Sequence, residues 1–241
     1  MKIEKENLPI VSVIICVYNR RNYIERAISS LLNQSLKNYE AIVVDDGSTD
    51  CVEEILFKYL KEYKNFKYFR HSNRNLPLSK NVGISISQGK YITFLDSDDE
   101  YEKEHLEKMV KFMEEHLDFD FIHSSPKIIG GENDLWLVDA RDESKLININ
   151  NCVVGPTFFG KKDVFLKLKG FNDLSYAEDF EFFNRLINSG LFKTGKLQER
   201  TYVYYRSIED SITNLAKKMQ LRETNSWVKS LNCIQSSKQL Q

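Results

Sequence analysis

Residues 10–17, IVSVIICV, form an almost unbroken apolar run rich in β-branched side chains, the pattern of a strand buried on both faces. The period then changes. RRNYIERAISSLLNQ (20–34) places Tyr23, Ile24, Ala27, Ile28, Leu31 and Leu32 at helical spacing. EAIVVD (40–45) predicts a second buried strand, and CVEEILFKYLKE (51–62) a helix with Val52, Ile55, Leu56, Tyr59 and Leu60 on one face. NFKYFR (65–70) and YITFLD (91–96) read as strands, LSKNVGISISQ (78–88) and EKEHLEKMVKFMEEH (102–116) as helices. Strand and helix in repeated alternation argue for a mostly parallel sheet covered by helices on both faces. Such sheets bind ligands beyond the carboxyl ends of their strands. Three polar clusters fall there: YNR at 18–20, DDGSTD at 45–50 and DSDD at 96–99.

The second half is less regular. FDFIHSS (119–125), TFFG (157–160) and TYVYYR (201–206) read as strands, with GGEND (130–134) a turn between extended segments. KKDVFLKLKG follows TFFG as a helix, and EDFEFFNRLINSG (178–190) is an amphipathic helix closed by a C-terminal Gly. The remaining tail is polar and helical. With no repeat and no low-complexity linker, one domain over 1–241 is expected, its two lobes meeting near residue 100.

Composition acts mainly by exclusion. Of 241 residues, 41% are hydrophobic and 29% charged, ordinary globular usage with material for a substantial core. A formal charge of −1 provides no bulk field toward nucleic acid. Cys16, Cys51, Cys152 and Cys233 are scattered without a CxxC, which favours reduced thiols over a disulfide framework or a zinc site. The start MKIEKENLPI lacks a signal-peptide core, and VSVIICV is far short of the ~20 residues of a spanning helix. The expectation is a soluble cytoplasmic protein, with peripheral contact at the inner face of the membrane left open. Lys161–Lys162 and Lys217–Lys218 could touch anionic lipid, although a solvated helix face is the plainer reading. His71, His105, His116 and His123 lack ligand spacing, and Trp136 suits a sugar face or the core equally.

The stretch YITFLDSDDEY (91–101) needs a physical explanation, because Asp96, Asp98, Asp99 and Glu100 crowd together. Two carboxylates ~5 Å apart at an effective dielectric of ~20 repel by roughly 3 kcal/mol. A solvated loop capping the next helix is one solution. An EF-hand loop is excluded, since Tyr101 stands where the sharp turn requires Gly and a buried strand leads in. A third solution is a divalent cation: two carboxylates directly after a buried strand can hold Mg²⁺ or Mn²⁺, whose other ligands come from a diphosphate and water.

VSVIICVYNR, YEAIVVDDGSTD, YITFLDSDDEY and GFNDLSYAEDFEFFNRL, in this order and spacing, resemble the inverting family 2 glycosyltransferases of the GT-A fold from about Val11 to about Thr213. The resemblance implies a Rossmann-like nucleotide-binding sheet flanked by helices, with a smaller irregular acceptor-side lobe. It divides the chain into a nucleotide-sugar-binding half (about 8–100), an acceptor and catalytic half (about 101–213) and a helical tail (214–241). It also implies that Val17, Tyr18 and Asn19 pack the nucleobase and that Asp46, beside Asp45 and Ser48, reads a uracil imide. Asp96 and Asp98 match the family's DxD, with Ser97 between them and Asp98 or Asp99 as the direct ligand of Mn²⁺ or Mg²⁺. Asp179, in AED, matches the catalytic base. Helix capping and turn formation remain the plain readings of Glu178–Asp179 and DDGSTD.

The sequence departs from the family at three places. Lys80 stands before Asn81 where many relatives have Arg, keeping the charge for a diphosphate but not the bidentate fork. In YYRSIEDSIT, Ile208 replaces a family His that often helps hold metal or diphosphate, leaving Arg206 or another basic residue of the tail as the expected substitute. Cys16 stands where relatives often have Thr or Pro, and is assigned to packing. The implied activity is metal-dependent transfer of a hexosyl or N-acetylhexosaminyl group from a nucleotide sugar, a UDP-sugar first, to a glycan, lipid-linked or protein-linked acceptor in bacterial surface glycan synthesis. Two rivals differ in kind. A sugar-nucleotide nucleotidyltransferase would need a Gly-rich loop where YNRRN stands, and a degenerate nucleotide-sugar-binding module would not need both Asp98 and Asp179.

Overall fold

The computed structural model describes residues 8–220. They group into two compact units, 8–128 with Val153–Tyr204, and Ile129–Cys152 with 205–220. The lobe boundary expected near residue 100 falls inside the first unit. The part of the tail beyond residue 220, with Cys233, lies outside the described residues.

In the first unit the expected alternation is realised. Strands β1 (Val11–Val17), β2 (Tyr39–Asp45), β3 (Phe66–Arg70) and β4 (Tyr91–Phe94) alternate with helices α1 (Ile24–Leu32), α2 (Glu53–Glu62) and α3 (Leu76–Ile86). After β4 come β5 (Glu100–Tyr101), α4 (His105–Glu115), β6 (Phe121–His123) and β7 (Lys127–Ile129), and later β10 (Phe159–Lys161), α5 (Lys162–Lys167), α6 (Glu178–Ser189), β11 (Thr194–Lys196) and β12 (Tyr202–Tyr205). A seven-stranded sheet has the order β11-β6-β10-β4-β1-β2-β3. The pairs β1–β2, β1–β4, β2–β3 and β6–β11 are parallel, and β10 alone opposes its neighbours. Strand order reverses between β1 and β4, and sheets of this kind bind ligands beyond the carboxyl ends of the strands at such a point.

The period-two alternation of β1 divides it between two cores. Val11, Val13, Ile15 and Val17 face one core, closed by Ile24, Ala27, Ile28 and Leu31 of α1 and Leu106, Met109 and Met113 of α4. Ile14 faces the other, with Ile84, Phe94, Phe158, Phe165, Phe171 and Phe182. A strand buried on both faces has no solvent side for polar residues, which is why IVSVIICV reads as continuous. Its one buried hydroxyl, Ser12, donates to Glu40 Oε1 at 2.5 Å, and Lys67 pairs with the same carboxylate at 2.7 Å.

In the second unit, β8 (Trp136–Asp139) and β9 (Asp142–Asn148) form an antiparallel hairpin, and GGEND leads into a 3₁₀ turn over Glu132–Leu135. Residues 212–220 are helical. Among the described residues Cys16, Cys51 and Cys152 are free thiols. No helix of the described residues is long and apolar enough to cross a membrane.

Asn81 joins α3 to the turn after α5. Its Nδ2 donates to the Phe171 carbonyl and its Oδ1 accepts from the Phe171 N–H, both at 2.8 Å. Gly170 makes this approach feasible, because it has φ +68° and a Cβ there would fall 2.1 Å from Asn81 Oδ1. Asn81→Ala leaves both backbone groups unpaired and should lower unfolding stability by about 2 kcal/mol, read as a shift in the urea midpoint.

Candidate active site

Loops at the carboxyl edge of the sheet are stitched together by main chain. Asp46 N–H donates to the Val17 carbonyl at 2.9 Å, which carries β1 and β2 into register at their ends. Asn19 then takes a left-handed backbone (φ 51°), its N–H donates to Ser48 Oγ at 3.0 Å, and its Oδ1 accepts from Thr49 N–H at 2.8 Å. Asp45 has no exposed surface, and it accepts from Ser48 N–H and the Tyr68 hydroxyl. Asp46 uses one oxygen for Arg74 N–H at 2.7 Å and the other for Asn75 N–H at 2.9 Å, with His71 Nδ1 3.3 Å away. Of the residues expected around a nucleobase, Val17 is buried and Tyr18 is 47% exposed.

The acidic stretch after β4 divides its labour. Asp99 is fully buried, and its Oδ2 accepts from the Tyr202 hydroxyl at 2.7 Å, while Tyr202 Oη accepts from Asp96 N–H at 3.2 Å. Tyr202 thereby ties β12 to the turn, and Asp99 serves that tie. Asp98 faces the other way, with Oδ2 3.3 Å from Arg20 Nε and its carbonyl taking a hydrogen bond from Arg26. Burial raises the Asp98 pKa, with the charges of Arg20 and Arg26 opposing. Burial also pushes Asp96 up to about 7; Lys80 pulls down, while Asp98, Glu178 and Asp179 push further up.

Lys80, on α3, is 2% exposed and lies against this acid cluster. Its Nζ donates to Glu178 Oε1 at 2.6 Å and sits 5.1 Å from the centre of the Phe171 ring. Burial acts to lower its pKa, but the charges of Glu178, Asp96 and Asp179 outweigh that and hold the ammonium above its ordinary range. The charge expected for a diphosphate is therefore engaged with the first residue of α6. Beneath it, burial drives the Cys16 thiol well above its usual range, as a packing role requires.

Asp179 is held rigidly. Ala177 precedes α6 in a left-handed conformation (φ 57°), a strained choice for a residue with a Cβ. The turn sends Asp179 Oδ2 to the Gly155 N–H at 2.7 Å and Oδ1 to the Phe180 N–H at 2.8 Å. Burial first, then the Glu178 charge, raise its pKa to about 6 despite Lys80 and the two N–H donors. A helix start alone would have lowered it.

Arg206 lies in the second unit with no exposed surface, its guanidinium bonded to the Asp134 carbonyl at 3.1 Å, Asn214 Oδ1 at 3.1 Å and the Thr213 hydroxyl. Ile208 is buried in the same unit. Among the described residues no three His, Cys, Asp or Glu side chains converge as a ready metal cage. A cation at Asp96 and Asp98 would still suit the donor set, since buried hard carboxylates repel one another and Mg²⁺ or Mn²⁺ draws its remaining ligands from phosphate and water. Arg20, Glu178, Tyr202 and Gly155 carry weight in this arrangement that the motifs did not assign. The first two adjoin singled-out residues, whereas nothing local marks the others.

Relatives agree with this architecture. A Rickettsia bellii protein named "Uncharacterized glycosyltransferase" is 47% identical over 122 residues, covering 51% of this chain and 17% of that one. A Bacillus subtilis protein named "Putative teichuronic acid biosynthesis glycosyltransferase TuaG" is 42% identical over 108 residues, covering 44% of this chain and 43% of that one. The chain thus spans less than half the length of either. The crystal structure of Staphylococcus aureus TarS 1-349 in complex with UDP superposes with a TM-score of 0.65 at 25% identity, over 81% of this chain and 60% of TarS 1-349. The family model described as "Glycosyl transferase family 2" matches residues 12–173, from β1 through α5 and short of Asp179. With the sheet order and the edge loops as described, that match makes the chain a member of glycosyltransferase family 2 with the GT-A fold.

Proposed function

We propose that the chain catalyses inverting transfer of a hexosyl or N-acetylhexosaminyl group from a nucleotide sugar to a hydroxyl of a glycan, lipid-linked or protein-linked acceptor in bacterial surface glycan synthesis. The observation that carries the reading is Asp179: a buried carboxylate fixed by two N–H donors, with its pKa raised to about 6, in the electrostatic reach of Asp96. A general base is most effective when its pKa approaches the working pH. Asp179 takes the proton of the acceptor hydroxyl as that oxygen attacks the anomeric carbon. The bond from that carbon to the diphosphate oxygen breaks on the opposite side, so the configuration inverts.

The donor side follows from the loops. Asp46 is an acceptor-only group held in place by the Arg74 and Asn75 N–H groups, with lone pairs left for a uracil imide, and Tyr18 is exposed enough to lie against a base. TarS, crystallised with UDP, supports a UDP-sugar as the first donor to test. Asp98, with Asp96 behind it, would hold Mn²⁺ or Mg²⁺, and such an ion neutralises charge growing on the leaving diphosphate. Asp99 holds the turn through Tyr202, which favours Asp98 over Asp99 as the ligand. The TuaG relative supports a surface polysaccharide as the product.

Four outcomes test this reading. With UDP-, GDP- and dTDP-sugars offered in parallel, release of nucleoside diphosphate should be confined to a UDP-sugar, stop with EDTA, and fall on the order of 10²-fold in Asp98→Asn. Turnover of none of them, together with no nucleotide binding by calorimetry, would sink the proposal. Asp179→Asn should lower kcat by ~10²–10⁴-fold while UDP binding stays unchanged. Because the base must be ionised, wild-type kcat/KM should fall as the pH drops below about 6; a flat profile from pH 5 to 8 would remove Asp179 as the base. In Gly155→Ala the new Cβ would fall 2.7 Å from Asp179 Cβ. A base displaced by ~1 Å costs up to ~10²-fold in kcat, and here KM for the donor should not change.

A further inference from the structure

Asp98 already has a cation. Arg20 Nε lies 3.3 Å from Asp98 Oδ2, and the two side chains are 14% and 15% exposed. Arg20 reaches this position because Asn19 turns the chain through a left-handed conformation directly after β1, and Arg20 Nη1 also donates to the Asn19 carbonyl at 3.3 Å. A guanidinium does not lose its proton in a protein. Nothing short of movement can therefore release Asp98. A divalent ion on the same carboxylate would stand within a few ångströms of a fixed positive charge, in surroundings too enclosed for water to screen the repulsion. A diphosphate offers what a displaced Arg20 needs, because its paired oxygens match the guanidinium fork.

Resting on the donor site proposed above, we propose that Arg20 is the resident counter-ion of Asp98 and passes to the donor's diphosphate when a divalent cation takes the carboxylate. Metal and nucleotide then bind poorly apart and well together. Such coupling is reciprocal: the factor by which the metal tightens the nucleotide equals the factor by which the nucleotide tightens the metal. Arg20 is thus a positioning residue that sets the order of assembly.

The test is calorimetry at pH 7.5 with Mn²⁺ alone, UDP alone, and UDP in saturating Mn²⁺, on the wild-type chain, Arg20→Gln and Arg20→Lys. Arg20→Gln should bind Mn²⁺ alone about tenfold more tightly than wild type, and the tightening of UDP by Mn²⁺ should shrink by about the same factor. Arg20→Lys, which keeps the charge without the fork, should stay near wild type for Mn²⁺ alone but recover only part of the coupling. A gain of metal affinity is not a consequence of misfolding. Unchanged Mn²⁺ affinity with unchanged coupling in Arg20→Gln would reduce Arg20 to a structural partner of Asp98, leaving the donor reading intact. If wild-type protein bound UDP neither with nor without Mn²⁺, the donor reading itself would fall and this inference with it.

Discussion

Buried negative charge at the carboxyl end of β4 is the constraint around which the first unit is arranged. Asp96, Asp98, Glu178 and Asp179 feel one another through a medium that screens weakly, and two side chains, Lys80 and Arg20, answer them directly. Lys80 is committed to Glu178 and Arg20 to Asp98. Asp96 and Asp179, and Asp98 despite Arg20, hold protons more tightly than an ordinary aspartate. Repulsion of roughly 3 kcal/mol per pair at ~5 Å would disperse such a group on a mobile loop. It persists because each member is tied to rigid backbone or to a charged partner.

That rigidity comes from the sheet. β1 and β2 are buried on both faces, and their ends are fixed in register with Val17 opposite Asp45, so the loops that leave them start from set points. Left-handed backbone then turns the chain two residues after β1 at Asn19, and one or two residues before α2, α3 and α6 at Cys51, Asn75 and Ala177. Strain of order 1–3 kcal/mol at such a residue survives only where the surroundings over-determine it. Here the surroundings are two aromatic and aliphatic cores packed against opposite faces of the same strands. The cores cover the cost of both the strained turns and the crowded charge.

This division of labour explains what was legible in the sequence. Continuous apolar strands and amphipathic helices are local patterns, and β1 through α4 followed them to within a few residues. The two-residue β5 and the three-residue β11 are too short to show a period and exist only through their partners, Tyr202 and Val203 for β5, and Phe121 to His123 for β11. Chemistry followed the same rule. The acidic motifs announced their position at the edge, but the partner of each was set by tertiary contact. Lys80, expected to face a diphosphate, bonds Glu178 from 98 residues away, and Asp99 bonds Tyr202 from 103. Gly155 had no local signal, because its importance lies in a bare N–H and the missing Cβ beside Asp179.

Lys80 shows why the partner matters more than the motif. A cation bonded directly to Asp179 would pull its pKa back to the ordinary carboxylate range and leave a weak base. With no cation nearby, burial and the Glu178 charge would lift it further, and at neutral pH the residue would carry the very proton it has to accept. Lys80 instead bonds Glu178, one residue away, and reaches Asp179 only through space, so its pull is partial. The pair also returns a share of the repulsion it relieves, since Glu178 still pushes the Asp179 pKa up. In the proposed reaction the useful quantity is this residual imbalance, a base raised but still ionised near neutrality. It depends on Lys80 being buried against Phe94 and Phe171 with its ammonium on Glu178. An arginine in its place would carry the same charge in a larger planar head with a fixed fork, a different shape to seat between Glu178 and the two rings.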